Sequence, residues 1–218
     1  SIMAEASPRS IAVSADGSPT LWVPKLDEHY HSIHGALTES QHVFIDAGFN
    51  AIEADPIRIL EVGLGTGLNA ALTLKQRGQR NVQYTALEKF PLTGEESAAL
   101  VPKDDKETLK ILAAPANENI ELSQGFSFQL LVEDLRTYRA PESSFDLIYF
   151  DAFAPSAQPE LWTDAIFENM FGVLAPGGVL VTYCAKGVVK RSMKAAGFEV
   201  ERLPGPPRKR EMTRAWKR

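Results

Sequence analysis

Four acidic residues stand at the ends of apolar runs, and three glycines alternate beside the first of them. Glu61 sits in the run 57–62, ahead of Gly63, Gly65 and Gly67; Glu88 follows 82–87, Asp134 follows 126–132 and Asp151 follows 145–150. Runs of this kind interleaved with helical patterns read as parallel strands, and open parallel sheets bind ligands beyond the carboxyl ends of their strands. Four carboxylates from four segments are thus expected on one sheet edge, where they can hold a cation, accept from hydroxyls or amines, or take a proton. The glycines can adopt positive φ and let a ligand approach backbone with no Cβ in the way. Strand, tight loop and a helix beginning at Leu68 make a pocket for an adenosine-shaped ligand.

The ligand's class follows from spacing and charge. A dinucleotide site uses Gly-x-Gly-x-x-Gly with a pyrophosphate over the helix N-terminus. Here the spacing is Gly63-x-Gly65-x-Gly67, and Glu61 would repel a pyrophosphate while suiting an ammonium and a sulfonium. A nicotinamide oxidoreductase is disfavoured on both counts. Glu-x-Gly-x-Gly-x-Gly resembles the first motif of class I methyltransferases. The resemblance implies S-adenosyl-L-methionine as methyl donor, Glu88 as acceptor from both ribose hydroxyls, and Asp134 as the group holding the adenine amine, with Glu133 an adjacent competitor.

The elements that must position these groups can be read from periodicity. Helices are expected at 38–46, 93–100, 106–114, 163–174 and 188–196, and strands at 57–62, 82–87, 120–122, 126–132, 145–150, 179–184, 198–203 and 211–216. Thr38 with Gln41 has capping-box spacing, and Gly197 is placed to end the last helix in a left-handed cap. The alternation implies an α/β, Rossmann-like fold: a mostly parallel seven-stranded sheet with an antiparallel terminal strand and helices on both faces. Residues 1–50 are expected to form an N-terminal extension over the cofactor and substrate site, and residues 51–218 the methyltransferase core.

A second motif narrows the family. Asp151-Ala-Phe-Ala-Pro155 is followed by Pro159-Glu160-Leu161-Trp162-Thr163. This pair resembles the methyltransferase half of the bacterial bifunctional enzyme of tRNA 5-methylaminomethyl-2-thiouridine biosynthesis and its free-standing single-domain relatives. Tyr30, Ser32, Glu39-Ser40, Val43-Phe44, Leu64 to Asn69, Glu88 to Leu92, Gly197-Phe198 and Lys209-Arg210-Glu211-Met212 extend the match over about residues 26–215. Gly205-Pro206-Pro207 replaces a more glycine-rich approach to the last segment, so that loop is expected to be stiffer. The bifunctional enzyme also carries an FAD-dependent domain, for which 218 residues leave no room; this chain is expected only to methylate, its precursor supplied by another protein or by direct synthesis.

The resemblance implies a site. Glu61, Gly63, Gly65, Thr66, Gly67, Asn69, Glu88, Asp134, Tyr30 and Phe44 would bind the donor. Phe153, Pro155, Trp162, Lys209, Arg210 and Glu211 would bind the substrate, the primary amine of 5-aminomethyl-2-thiouridine at a tRNA wobble position. A free alkylamine is largely protonated at neutral pH and then has no lone pair, so Asp151 is the residue expected to orient it and take its proton. Phe153 and Trp162 would wall the pocket and stack on an extruded base; the alternative is packing beneath the loop.

Composition sets the wider frame. The fractions of hydrophobic (44%) and charged (23%) residues are those of a globular protein. No apolar run has the length of a membrane span, and no basic-then-apolar leader opens the sequence. One cysteine, Cys184 in an apolar run, excludes an internal disulfide and fits a reducing cytoplasm. His29, His31, His34 and His42 cluster without cysteine or carboxylates at metal spacing, so no metal site is expected; His42 is placed over the donor pocket. The net charge is −5, yet residues 186–218 hold eleven Lys or Arg against three acids. Such an end can face a polyanion or simply be a solvated face. Other readings are a class I methyltransferase of a small amine or protein side chain, and a catalytically silent RNA-binding module that keeps the fold.

Overall fold

The computed structural model describes residues 10–13, 19–23, 28–29, 33–207, 209 and 211–218. Tyr30, Ser32 and Arg210 lie outside the described residues. Three short strands, β1 (Ser10–Val13), β2 (Pro19–Val23) and β3 (Glu28–His29), pair antiparallel in a small sheet. The large sheet comprises β4 (Ile57–Val62), β5 (Val82–Leu87), β6 (Asn119–Ser123), β7 (Phe126–Leu131), β8 (Phe145–Phe150), β9 (Leu174–Thr182), β10 (Glu199–Pro204) and β11 (Glu211–Trp216). Their spatial order is β10-β11-β9-β8-β4-β5-β7-β6.

Strands β4, β5, β7, β8 and β9 are parallel, and β11 runs antiparallel between β9 and β10. The sheet has eight strands where seven were expected. The extra edge is β6, folded antiparallel onto β7 through a turn in which Gly125 has φ 82°.

Among the described residues six α-helices accompany the sheet: α1 (Ile33–Ser40), α2 (Leu68–Gln76), α3 (Gly94–Leu100), α4 (Lys106–Leu112), α5 (Asp164–Val173) and α6 (Gly187–Ala196). Thr93 caps α3 in a reciprocal capping box with Glu96, Thr163 caps α5, and Gly197 ends α6 at φ 115°. The helix expected at 38–46 is different. Helix α1 begins five residues before Thr38 and passes into a π-helical turn, Gln41–Asp46, with Ala47 N–H donating to His42 O. Widening the turn lets three consecutive apolar residues, Val43, Phe44 and Ile45, all be buried. The strand expected at 179–184 starts at Leu174, which pairs with Phe145; an irregularity containing Gly177 at φ 85° then precedes the regular pairing that begins at Val179 with Leu147.

Side chains alternate between the two faces of the sheet. Ile57, Ile59, Tyr84, Leu147, Tyr149 and Val181 pack with α2 residues and with Val43, Phe44 and Phe49. Leu60, Val62, Ile148, Phe150 and Leu180 pack with Phe167 and Met170 of α5 and Val189 and Met193 of α6. Residues 43–49 therefore share the core of the sheet. No helix among the described residues is long and apolar enough to cross a membrane.

The chain leaves β4 through α2 toward β5, and leaves β8 through α5 toward β9. Adjacent parallel strands β4 and β8 thus send their following segments in opposite directions, which opens a crevice at their carboxyl ends. Val62 pairs with Phe150, so the two loops start level. Arg58 reinforces that register, its guanidinium donating to both carboxylate oxygens of Asp146 at 3.0 and 2.9 Å.

Candidate active site

The period of two that buries Ile57 and Ile59 also turns Glu61 into the core, where it has no exposed surface. A buried carboxylate needs donors. Tyr84 Oη on β5 donates to Oε1 at 2.7 Å, and Asn69 Nδ2 in the first turn of α2 donates to Oε2 at 2.9 Å. Burial drives the Glu61 carboxyl well above the usual glutamate range; the Tyr84 bond opposes this and the charge of Asp151 adds to it.

Asn69 reaches both loops. Its second amide hydrogen goes to Asp151 Oδ2 at 3.1 Å, so one side chain brackets the acids that end β4 and follow β8. Thr73 Oγ1 holds the Asn69 carbonyl at 2.7 Å and meets Tyr149 Oη at 2.9 Å, fixing the start of α2. Asn69 Oδ1 is buried without a hydrogen-bond partner. The acid Glu61 and an unpaired acceptor in one place suit a cation bearing N–H groups, the chemistry of an amino-acid ammonium.

The glycine loop has the conformation its residue types imply. Gly63, Gly65 and Gly67 have φ of 88°, 56° and 79°. At Gly67 a Cβ would also stand 3.3 Å from Leu112, so α4 closes on the loop. Glu88, 1% exposed, accepts from Gly65 N–H at 3.1 Å, which joins the end of β5 to the loop beyond β4. Thr66 is half-buried at the loop apex. Asp134 accepts from Lys89 at 3.3 Å and from Arg136 at 2.7 Å; the Arg136 bonds above all pull its carboxyl down to about 2. It is an ionised, already paired acid, so an adenine amine would have to share it.

The loop after β8 is pinned at successive points. Asp151 N–H donates to Val62 O at 3.0 Å, Tyr183 Oη to Ala152 O at 2.7 Å, and Trp162 Nε1 to Phe153 O at 2.8 Å. Trp162 is 5% exposed and meets Phe150, Phe167 and Tyr183 ring to ring, so it braces the loop from beneath and presents no face to the surface. Phe153 is equally buried, packed with Leu92, Leu100 and Val101 beside α3. Pro155 is half-exposed at the turn. Phe44, expected at the donor, is instead a core residue 5.4 Å from the Tyr149 ring.

The C-terminal cations are largely engaged. Lys209 Nζ lies 3.3 Å from Glu39 and 5.4 Å above the Tyr183 ring; Glu211 meets Lys190 and Arg202 at 3.7 and 3.9 Å; Arg214 pairs with Glu201 at 3.1 Å. Lys186, Arg191 and Lys194 are exposed along α6. Gly205 is required where β10 turns toward β11: a Cβ there would meet Lys209 O at 2.8 Å. His42 bonds through Nε2 to Pro204 O at 2.7 Å, at the end of β10. Among the described residues no group of His, Cys, Asp and Glu is arranged to hold a metal. Cys184 is buried, and burial raises its thiol, so it is no ready nucleophile.

Two polar residues escaped the reading of the sequence. Tyr84 looks like an ordinary strand aromatic, and its hydroxyl matters only because Glu61 is turned toward it. Tyr183 had one legible signal, its place at the carboxyl end of an apolar strand.

The sheet order, the glycine loop at the crevice and the acids beside it define the class I methyltransferase architecture. A family model described as S-adenosyl-L-methionine-dependent methyltransferase matches residues 82–218. The solved structure of MnmC2 from Aquifex aeolicus superposes with a TM-score of 0.79 at 30% identity, covering 98% of this chain and 72% of that one. Among curated proteins, the tRNA 5-methylaminomethyl-2-thiouridine biosynthesis bifunctional protein MnmC of Cupriavidus metallidurans is 32% identical over 94% of this chain and 33% of its own length. That of Methylobacillus flagellatus is 32% identical over 84% and 31%. The chain thus spans about a third of the length of the curated relatives it matches. It belongs to the S-adenosyl-L-methionine-dependent methyltransferase family, and S-adenosyl-L-methionine is its cofactor.

Proposed function

We propose that the chain N-methylates the aminomethyl group of 5-aminomethyl-2-thiouridine at the wobble position of tRNA. The observation that carries this reading is the Asn69 bracket, which sets a proton-accepting carboxylate, Asp151, beside the buried acid of the donor loop. The named relatives suggest the acceptor, since they are proteins of tRNA 5-methylaminomethyl-2-thiouridine biosynthesis.

Bound S-adenosyl-L-methionine supplies a methyl group on a sulfonium. Glu61, Asn69 Oδ1 and the loop Gly63 to Gly67 would hold its amino-acid end and Glu88 its ribose, and Asp134, shared with Arg136, would hold its adenine. Asp151 hydrogen-bonds the acceptor amine and takes its proton, leaving the nitrogen lone pair free. Asn69, by holding Asp151 Oδ2, fixes where that nitrogen stands relative to the donor. Asn69→Ala should therefore slow transfer about 10- to 100-fold. At saturating donor its effect on transfer should be much smaller in an Asp151→Ala background, a double-mutant cycle that separates action through Asp151 from the contacts Asn69 makes to Glu61 and the donor.

Exposed Lys186 at the start of α6 and Arg191 and Lys194 along it, with Lys209 before β11 and Glu211 at its first position, form the proposed tRNA-contacting side, and Arg210 is assigned to it from the sequence alone. Lys209 would exchange Glu39 for a phosphate. Contacts of this kind make affinity fall as salt rises.

Transfer assays with purified protein and anticodon stem-loops test the reading. Methylation of a stem-loop carrying 5-aminomethyl-2-thiouridine, weakened steeply by salt, is expected. Methylation of free alkylamines or protein side chains with no response to the stem-loop would overturn it. In cells, deletion should leave the unmethylated aminomethyl nucleoside in tRNA.

A further inference from the structure

Gln158 is buried completely, and neither its Nε2 nor its Oε1 has a hydrogen-bond partner. Leaving an amide unpaired in an interior costs free energy, so a residue kept in that state calls for a reason. The carbonyls that precede it in the loop are bonded elsewhere. Ala152 O is taken by Tyr183 Oη, Phe153 O by Trp162 Nε1, and Ala154 O by the backbone amides of Ala157 and Gln158 at 2.8 and 2.9 Å. Gln158 caps the following 3-10 turn, Pro159–Leu161, with its backbone alone; its side chain makes no cap bond. An apolar residue of the same shape would pack there without penalty, whereas a glutamine brings a donor and an acceptor side by side.

We propose that Gln158, covered in the ligand-free protein, reads the imide edge of the acceptor base once the 154–158 turn shifts to admit it, donating from Nε2 to the ring carbonyl oxygen O4 and accepting at Oε1 from N3–H. The inference rests on the uridine reading above. The chemistry of the ring links it to Asp151. The methylated arm hangs from C5, next to the carbon bearing O4, so a side chain gripping O4 and N3 approaches beside that arm. Gln158 closes the turn that opens at Ala154, three residues after Asp151, so one short loop carries both the group that holds the base and the group that takes the amine's proton.

The test compares wild type with Gln158→Leu, and with Gln158→Met as a second packing-compatible variant, on two stem-loops. One carries 5-aminomethyl-2-thiouridine and the other its N3-methylated analogue. Wild type should prefer the N3–H substrate by about 10- to 100-fold in kcat/KM, the discrimination expected of a paired amide contact. Both variants should lose that much on the N3–H substrate and lose the preference, while the ligand-free Tm stays level or rises, since no protein hydrogen bond has been removed. A lower Tm with unchanged kcat/KM would mean that the amide is satisfied inside the protein, and the proposal fails. Retained discrimination against N3-methylation in both variants overturns it too. A wild-type protein inactive on the N3–H stem-loop refutes the uridine reading itself, a result separable from either of these.

Discussion

Asp151→Ala is expected to abolish most methyl transfer while sparing donor affinity. The carboxylate sits at the crevice, held at Oδ2 by Asn69, and the donor loop keeps Glu61, Glu88 and its glycines when Asp151 is removed. Loss of a positioned proton acceptor costs about 10²- to 10⁴-fold in rate. Calorimetric donor affinity should change by no more than about threefold, because one exposed-side hydrogen bond contributes little to it. The deficit should also shrink with rising pH. An alkylamine resembles lysine, with a pKa near about 10, so solvent removes more of its proton at high pH and Asp151 becomes less necessary. Asp151→Asn keeps an acceptor oxygen but cannot take the proton, and should behave like the alanine variant near neutrality. Near-normal turnover in either variant at pH 7 would remove Asp151 from the chemistry.

Glu61→Gln should separate binding from stability in the opposite direction. The buried Glu61 carboxyl has its pKa raised, mainly by burial, above the usual 4.5. A raised carboxyl pKa means that the folded protein holds this proton more tightly than the unfolded chain. Its stabilising contribution is therefore present below the usual value and is lost as pH rises through the folded one. A glutamine removes that loss, so the ligand-free variant should be at least as stable as wild type at pH 7. Each kcal/mol gained would raise Tm by about 2–4 °C. Donor affinity should fall about 10- to 100-fold, the worth of a charged hydrogen bond. In wild type, affinity for the cationic donor should climb with pH as Glu61 ionises, and in Glu61→Gln that slope should flatten. Titration calorimetry across pH with melting curves of both proteins checks the pair. Unchanged affinity in the variant would show that Glu61 serves the fold alone.

Much of this was legible because periodic patterns survive in single sequences. The runs 57–62, 82–87 and 145–150 form strands with those bounds, since each is a short, mainly apolar run closed by a sharp change of residue type, and 211–216 does so as the second arm of a hairpin announced by a Pro/Gly-rich turn. Thr93, Thr163 and Gly197 act as the punctuation their residue types suggest. The misread helix at 38–46 shows the limit: Thr38 and Gln41 have capping-box spacing, but burying Val43, Phe44 and Ile45 together outweighs a local cap and makes a π-helical turn. Strand β6 was visible as an apolar run, yet whether it joins the sheet depends on a partner edge that no local pattern encodes.

For the site, the sequence by itself determined which groups gather at the carboxyl ends of the strands. Gly63, Gly65 and Gly67, Glu61, Glu88 and Asp151 follow from strand ends and residue types, because in a parallel sheet the carboxyl end of each strand projects to one edge. Tertiary structure alone decided what those groups do to one another. That Asn69 spans Glu61 and Asp151, that Tyr84 pins Glu61 in the core, that Asp134 is already paired with Arg136, and that Trp162 and Phe44 belong to the packing all depend on distances between segments far apart in the chain. Strand periodicity chooses the face on which a side chain emerges. Only the packed sheet, by setting neighbours about 5 Å apart across strands, decides what it meets there.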